Sequence, residues 1–145
     1  MGDGKFWLCL GAVLAGTAVG AGAFAAHGLD GYFAREYAGQ ERDAAGVNVP
    51  ASQKYLADFK TGAEYQMYHA LAILAVGLLA ARAPSSWLNV AGWSFVTGIF
   101  LFSCGLYLLT VTGQRWLGMI VPIGGTAFLV GWLALAVAAC RIEKL

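Results

Sequence analysis

The chain has 145 residues, of which 59% are hydrophobic and 12% charged, against roughly 25% charged in an average soluble domain. That much apolar surface exceeds what a small globular core can hide and points to a lipid-embedded fold. Nine basic and eight acidic residues leave a formal charge of +1, with no basic stripe interleaved with aromatics, so nucleic acid is not an expected partner.

The first element is an uncharged apolar run from Phe6 to Ala26 that reaches His27. Roughly 20 apolar residues at about 1.5 Å each cross a ~30 Å hydrocarbon core as a helix, and a helix satisfies its own backbone there. Phe24-Ala25-Ala26 has the small residues of a signal-peptide cleavage site. The run is long, however, and Met1-Gly2-Asp3-Gly4-Lys5 makes a poor basic leader, so an uncleaved helix is expected. Phe6 stands where a myristoylation motif requires Ser or Thr.

Residues 28–61 form the one sizeable water-facing piece, an interfacial loop carrying nine charged residues and interrupted by Gly46 and Pro50. Two short interfacial helices, near 29–38 and 51–61, are predicted there. Tyr32, Phe33, Tyr37, Tyr55 and Phe59 would suit the headgroup zone.

Three further spans follow, near 62–82, 87–112 and 116–140, joined by short connections at Ala83–Ser86 and Thr112–Arg115. Short connections make sequential neighbours antiparallel. The expected fold is all-α: one integral membrane domain over 1–145, a four-helix antiparallel bundle of spans 6–27, 62–82, 87–112 and 116–140. Trp7, Trp87 and Trp116 fall near span ends as interface anchors. Lys5, Arg82, Arg141 and Lys144 on one side, against a longer, net-acidic loop on the other, place both termini in the cytoplasm of a bacterial plasma membrane.

Small residues suggest close helix packing: Ala12, Gly16 and Gly20, with Ala18 and Gly22 beside them, in span 1; Gly98 and Gly105 in span 3; and Gly124, Gly125, Ala127 and Gly131 in span 4. Packing within the monomer is the first reading of these ridges and a homo-oligomer face the second. Cys9, Cys104 and Cys140 are scattered singly, without C-x-x-C spacing, and read as apolar fillers; neither a disulfide nor a metal site is expected.

Alternating directions bring the end of span 1, the start of span 2, the end of span 3 and the start of span 4 to one membrane face. The unusual residues gather there: His27; Glu64, Tyr65, Gln66 and His69; Ser103 and Tyr107. His69 lies roughly 7 Å deeper than Glu64. A polar side chain at that depth normally points into the bundle and has a partner.

Four segments carry a resemblance: Gly22-Ala23-Phe24-Ala25-Ala26-His27-Gly28-Leu29, Glu64-Tyr65-Gln66-Met67-Tyr68-His69-Ala70-Leu71-Ala72, Leu101-Phe102-Ser103-Cys104-Gly105-Leu106-Tyr107, and Pro122 to Trp132. Along nearly its whole length the chain resembles the YgdD-like family of small four-helix membrane proteins of unknown function, which has a eukaryotic branch. It departs from that pattern at Ala25, at Cys104-Gly105 and at Val121, with His27, Tyr65, Gln66, His69 and Tyr107 in place. The resemblance implies a fold and supplies no reaction.

The residues allow two functional classes. In the first, the polar cluster is a clasp in a non-catalytic accessory subunit, assembly subunit or scaffold, whose partners are the lipid bilayer and other membrane subunits or a second copy. In the second, His27, His69 and Tyr107 bind haem, a metal, a lipid headgroup or a proton. No G-x-S-x-G, no paired carboxylates inside the spans and no phosphate loop after a strand support an enzyme, and no cofactor is expected.

Overall fold

A computed structural model describes residues 3–141; Lys144 lies outside them. The elements are α1 (Asp3–His27), α2 (Leu29–Glu36), β1 (Glu41–Ala44), β2 (Val47–Pro50), α3 (Ala51–Arg82), α4 (Ser86–Gly98), a π-turn at Ile99–Ser103, α5 (Cys104–Thr112), a 3-10 turn at Arg115–Met119, and α6 (Val121–Cys140). Four helical segments are long and apolar enough to cross a bilayer: Gly4–His27, Ala51–Arg82, Ser86–Thr112 and Arg115–Cys140.

The water-facing loop differs from the predicted pair of interfacial helices. Its first half does form a helix, α2. Residues 41–50 instead form an antiparallel hairpin pairing Glu41 with Pro50 and Ala44 with Val47. Ala45 and Gly46, at φ 55° and 86°, make its tight turn, the double left-handed geometry that matches the twist of paired strands.

The predicted helix near 51–61 is the beginning of α3 and has no boundary with span 2. Pro50 caps the start of a helix of 32 residues, about 48 Å long by its rise and so longer than the hydrocarbon is thick. One seam explains its continuity. Ala51, Tyr55, Phe59, Ala63, Gln66, Ala70, Ile73, Gly77 and Ala80 recur every three or four residues and all are buried. The hydropathy change near residue 61 falls inside one continuous helix and does not mark a helix start.

The inner helices are α3 and the third span. α1 lies mainly along α3, and α6 mainly along α4. Half of the apolar stretch of α3 is buried, against 17% for the first span and 22% for the fourth, so the two outer helices present broad lipid faces.

Close approach at glycines sets this arrangement. A Cβ at Gly124 would stand 2.5 Å from the Phe102 backbone nitrogen, and one at Gly131 would stand 2.6 Å from the Phe95 ring; Gly98 is filled by Phe128. A Cβ at Gly105 would stand 3.5 Å from the Val121 side chain and one at Gly125 would stand 4.0 Å from the Phe102 ring, so neither position demands glycine for lack of space. A Cβ at Gly16, Gly20 or Gly22 would meet nothing within 4 Å, so these three glycines do not make the expected packing within the monomer, whereas Ala18 beside them is buried. The α1–α3 contact uses other glycines: Gly4 against Ala81, Gly11 against Leu74 and Gly77 against Leu8.

Two apolar cores result. One joins Trp7, Ile73, Val76, Leu88, Phe95, Ile99 and Phe128 across the spans. The other, at the loop face, joins Leu29, Phe33, Tyr37, Tyr55 and Phe59, with Tyr107 and Leu109 against it. Trp7 is therefore a core residue and not an interface anchor: it is 1% exposed, fills the notch at Gly92 and donates its indole N–H to Asn89 Oδ1 at 3.0 Å. Of the aromatics assigned to the headgroup zone, Phe33, Tyr37, Tyr55 and Phe59 are likewise buried, and only Tyr32 is exposed.

Tyr37 ties the loop to the third span by donating to the Thr110 carbonyl at 2.8 Å. Burial, aided by the neighbouring Tyr55, holds its phenol above the ordinary tyrosine range.

Two outcomes follow. Gly124→Ala is expected to lower stability by about 1–3 kcal/mol through overpacking, whereas Gly16→Ala should be neutral or raise it through helix propensity; thermal unfolding in detergent compares them. Because the folded state holds the Tyr37 proton more tightly than the unfolded chain, its contribution is complete below pH 10.0 and declines as pH rises above that. Tyr37→Phe should therefore cost about 1 kcal/mol at neutral pH and make unfolding less sensitive to alkali.

Candidate functional site

Gln66, one of the few buried polar residues, sits where the buried seam of α3 passes between α1 and α5. Its Nε2 donates to the Leu14 carbonyl at 2.9 Å and to Thr17 Oγ1 at 2.8 Å. Its Oε1 accepts from the Tyr107 hydroxyl at 3.0 Å. Thr17 in turn donates to Leu14 O at 2.9 Å. One amide therefore joins three spans with both ends used, as an environment without water requires.

His69 lies one turn deeper, 5% exposed. Its Nδ1 is 2.7 Å from the Tyr65 carbonyl and its Nε2 is 3.2 Å from the indole nitrogen of Trp132 on α6. An indole N–H only donates and a carbonyl only accepts. The ring is thus the neutral tautomer with hydrogen on Nδ1, and both nitrogens are engaged. Its face stacks on Phe128 with centroids 3.4 Å apart and planes 5° from parallel, which fixes its orientation as well as its tautomer.

The remaining predicted residues separate from this centre. His27 and Glu64 are exposed, and neither makes a side-chain hydrogen bond among the described residues. Tyr65 is partly exposed and stacks on Phe102 with centroids 4.7 Å apart. It borders an open cleft of about 400 Å³ with Tyr68, His69, Leu129 and Trp132. Ser103 is completely buried at the end of the π-turn, its hydroxyl without a partner among the described residues. The structure thus joins Gln66 with Tyr107 and Tyr65 with His69. It does not gather His27, Glu64, His69 and Tyr107 around one ligand.

Sequence reading missed the partners that make the site. Thr17, Phe128 and Trp132 complete the two hydrogen-bonded centres, and Asn89 accepts from Trp7 in a third. The available signal was an indole N–H in the middle of an apolar span: Trp132 needs an acceptor there, and His69 is the imidazole within reach.

A double-mutant cycle measures the larger centre. Tyr107→Phe and Gln66→Leu should each destabilise the fold, by about 1 kcal/mol and 1–2 kcal/mol, with coupling near 0.6 kcal/mol, the average for interhelical hydrogen bonds in membranes. Additivity of the two losses in thermal unfolding would show that the bond contributes nothing.

Residues 21–125 match the model of a family described as Protein of unknown function (DUF423). The chain is 41% identical to the UPF0382 membrane protein YwdK of Bacillus subtilis over 138 residues, covering 94% of this chain and 98% of that protein. It is 39% identical to a UPF0382 membrane protein of Staphylococcus epidermidis, covering 94% and 97%, and 38% identical to one of Staphylococcus saprophyticus, covering 95% and 99%. No solved structure matches. With four apolar helices arranged around these internal hydrogen bonds, and with relatives matched over more than nine-tenths of this chain, the chain belongs to the DUF423 family of UPF0382 membrane proteins, whose function is unknown.

Proposed function

We propose that this protein is a non-catalytic integral membrane protein, an accessory or assembly subunit or a small scaffold. The observation that carries the reading is closure of the polar centre: every hydrogen-bonding group of Gln66 and His69 that faces the interior is engaged by another helix or by its own. A His69 ring holding both a carbonyl and an indole has no nitrogen lone pair free for a metal or haem and no proton poised for transfer. Ser103, the one buried hydroxyl without a partner among the described residues, has no base beside it to activate it.

Surfaces for lateral association support the same reading. The open Ala12, Gly16 and Gly20 ridge admits close approach of another helix. A groove of about 650 Å³ between α4 and α6, walled mainly by Val90, Trp93, Ile123 and Val130 with Ser94 and Thr97 among them, offers a mostly apolar face on which another helix can pack. We read the likeness to the YgdD-like proteins as membership of this same family. We also place the chain in a bacterial plasma membrane with both termini cytoplasmic. This is supported by bacterial relatives named as membrane proteins and by Lys5, Arg82 and Arg141 at the terminal face.

The test is native mass spectrometry of protein extracted from its own membranes in mild detergent, with absorbance recorded on the same sample. Copurifying polypeptides or a homo-oligomer are expected, and His69→Leu should leave that assembly intact while lowering stability by about 1 kcal/mol. A Soret band or a stoichiometric metal that disappears in His69→Leu, with stability unchanged, would replace the clasp by a ligand site.

A further inference from the structure

Three cations from three separate segments meet at the loop face: Arg42 on β1, Lys54 in the first turns of α3, and Arg115 in the turn before α6. Together they line a cleft of about 160 Å³. Asp43 and Asp58 also line it, so three positive charges face two negative ones and the cleft carries one net positive charge. Sequence reading placed Arg42 and Lys54 in the interfacial loop and Arg115 in the connection between spans 3 and 4 without bringing them together, because the three cations lie 12 and 61 positions apart.

The charges are not equivalent. Lys54 and Asp58 close on each other at 2.5 and 2.6 Å, one turn apart on α3. Arg42 is held in place: its Nε donates to the Tyr55 hydroxyl at 3.0 Å, its other nitrogens reach Glu41 O and Gln40 Oε1, and its guanidinium lies over the Tyr55 ring at 5.5 Å. Asp43 Oδ1 is turned to the Gly46 N–H of the hairpin turn at 3.3 Å. Arg115 makes no hydrogen bond or ion pair among the described residues, so its planar fork of donors is available.

The depth of the cleft narrows the ligand further. One wall is Leu109 on α5, in the last apolar turns of the third span, and exposed Trp116 follows Arg115 directly, as indoles do at headgroup level. The cleft thus joins a basic, water-facing edge to an apolar wall at the membrane surface.

We propose that this cleft binds a phosphate ester at the membrane surface, with Arg115 as its principal donor and Arg42 as the fixed second cation. A phosphodiester carries one negative charge and so neutralises the cleft. The site is independent of the clasp formed by Gln66 and His69 and stands or falls separately from it.

The experiment uses the full chain in mild detergent, adds phosphatidylglycerol, and reads retained lipid by native mass spectrometry, with inorganic phosphate as competitor. Wild-type protein should retain the lipid and Arg115→Gln should retain about fivefold less, the loss expected for one basic residue near an anionic surface. Lys60→Gln, which removes an exposed charge outside the cleft, should retain it as wild type does. Retention resistant to inorganic phosphate identifies a lipid headgroup as the source of the ester, and competition by millimolar phosphate identifies a free phosphate compound. Equal retention by Arg115→Gln and wild type, or equal loss in Lys60→Gln and Arg115→Gln, would overturn the proposal, with unchanged thermal stability of both variants showing that the fold is intact.

Discussion

The bundle depends on the rule that no polar group inside hydrocarbon can turn to water for a partner. Gln66 meets that rule by bonding to α1 through Leu14 O and Thr17 Oγ1 and to α5 through the Tyr107 hydroxyl. Rotating α3 or sliding α1 would break at least one of these bonds with nothing to replace it. The amide therefore selects the relative rotation of three spans even though each bond adds little net energy, on the order of 0.6 kcal/mol in membranes. Trp132 and His69 impose the same constraint on α6.

Packing and polarity act together along the α3–α6 contact. Gly124 and Gly131 let α6 approach the third span closely enough for Phe128 to lie flat on the His69 ring. The Trp132 indole then reaches Nε2. The π-turn at Ile99–Ser103 adds one residue to a turn of the third span, between the notch at Gly98 and the contacts of α5. A helix with uniform geometry would present those two halves to α6 and to α3 at different relative angles.

Much of the architecture was legible because the bilayer limits the choices. Four apolar runs of sufficient length, joined by short connections, leave an antiparallel set of helices, and the polar residues of the loop face could be assigned to that face by direction alone. Small-residue patterns were less informative. Gly16 and Gly20 share a spacing that could serve any helix, yet they face away from the protein, whereas Gly4, Gly11 and Gly77, which carry no pattern, make the α1–α3 contact. Spacing reveals that a helix has a flat side but not which neighbour, if any, lies on it. The same limit applies to Trp7, whose place near a span end suits either a lipid anchor or a core residue.

By itself the sequence determined the number of spans and their alternation, since hydrocarbon thickness and the need for backbone hydrogen bonds act on local segments. Tertiary structure alone decided that Gln66 and His69 complete separate internal bonds, that residues 51–82 form one helix, and that Arg42, Lys54 and Arg115 line one cleft. These outcomes depend on helix rotation and on contacts between segments far apart in the chain. Such contacts are set by which glycines admit a neighbour and which polar groups can find each other once water is excluded.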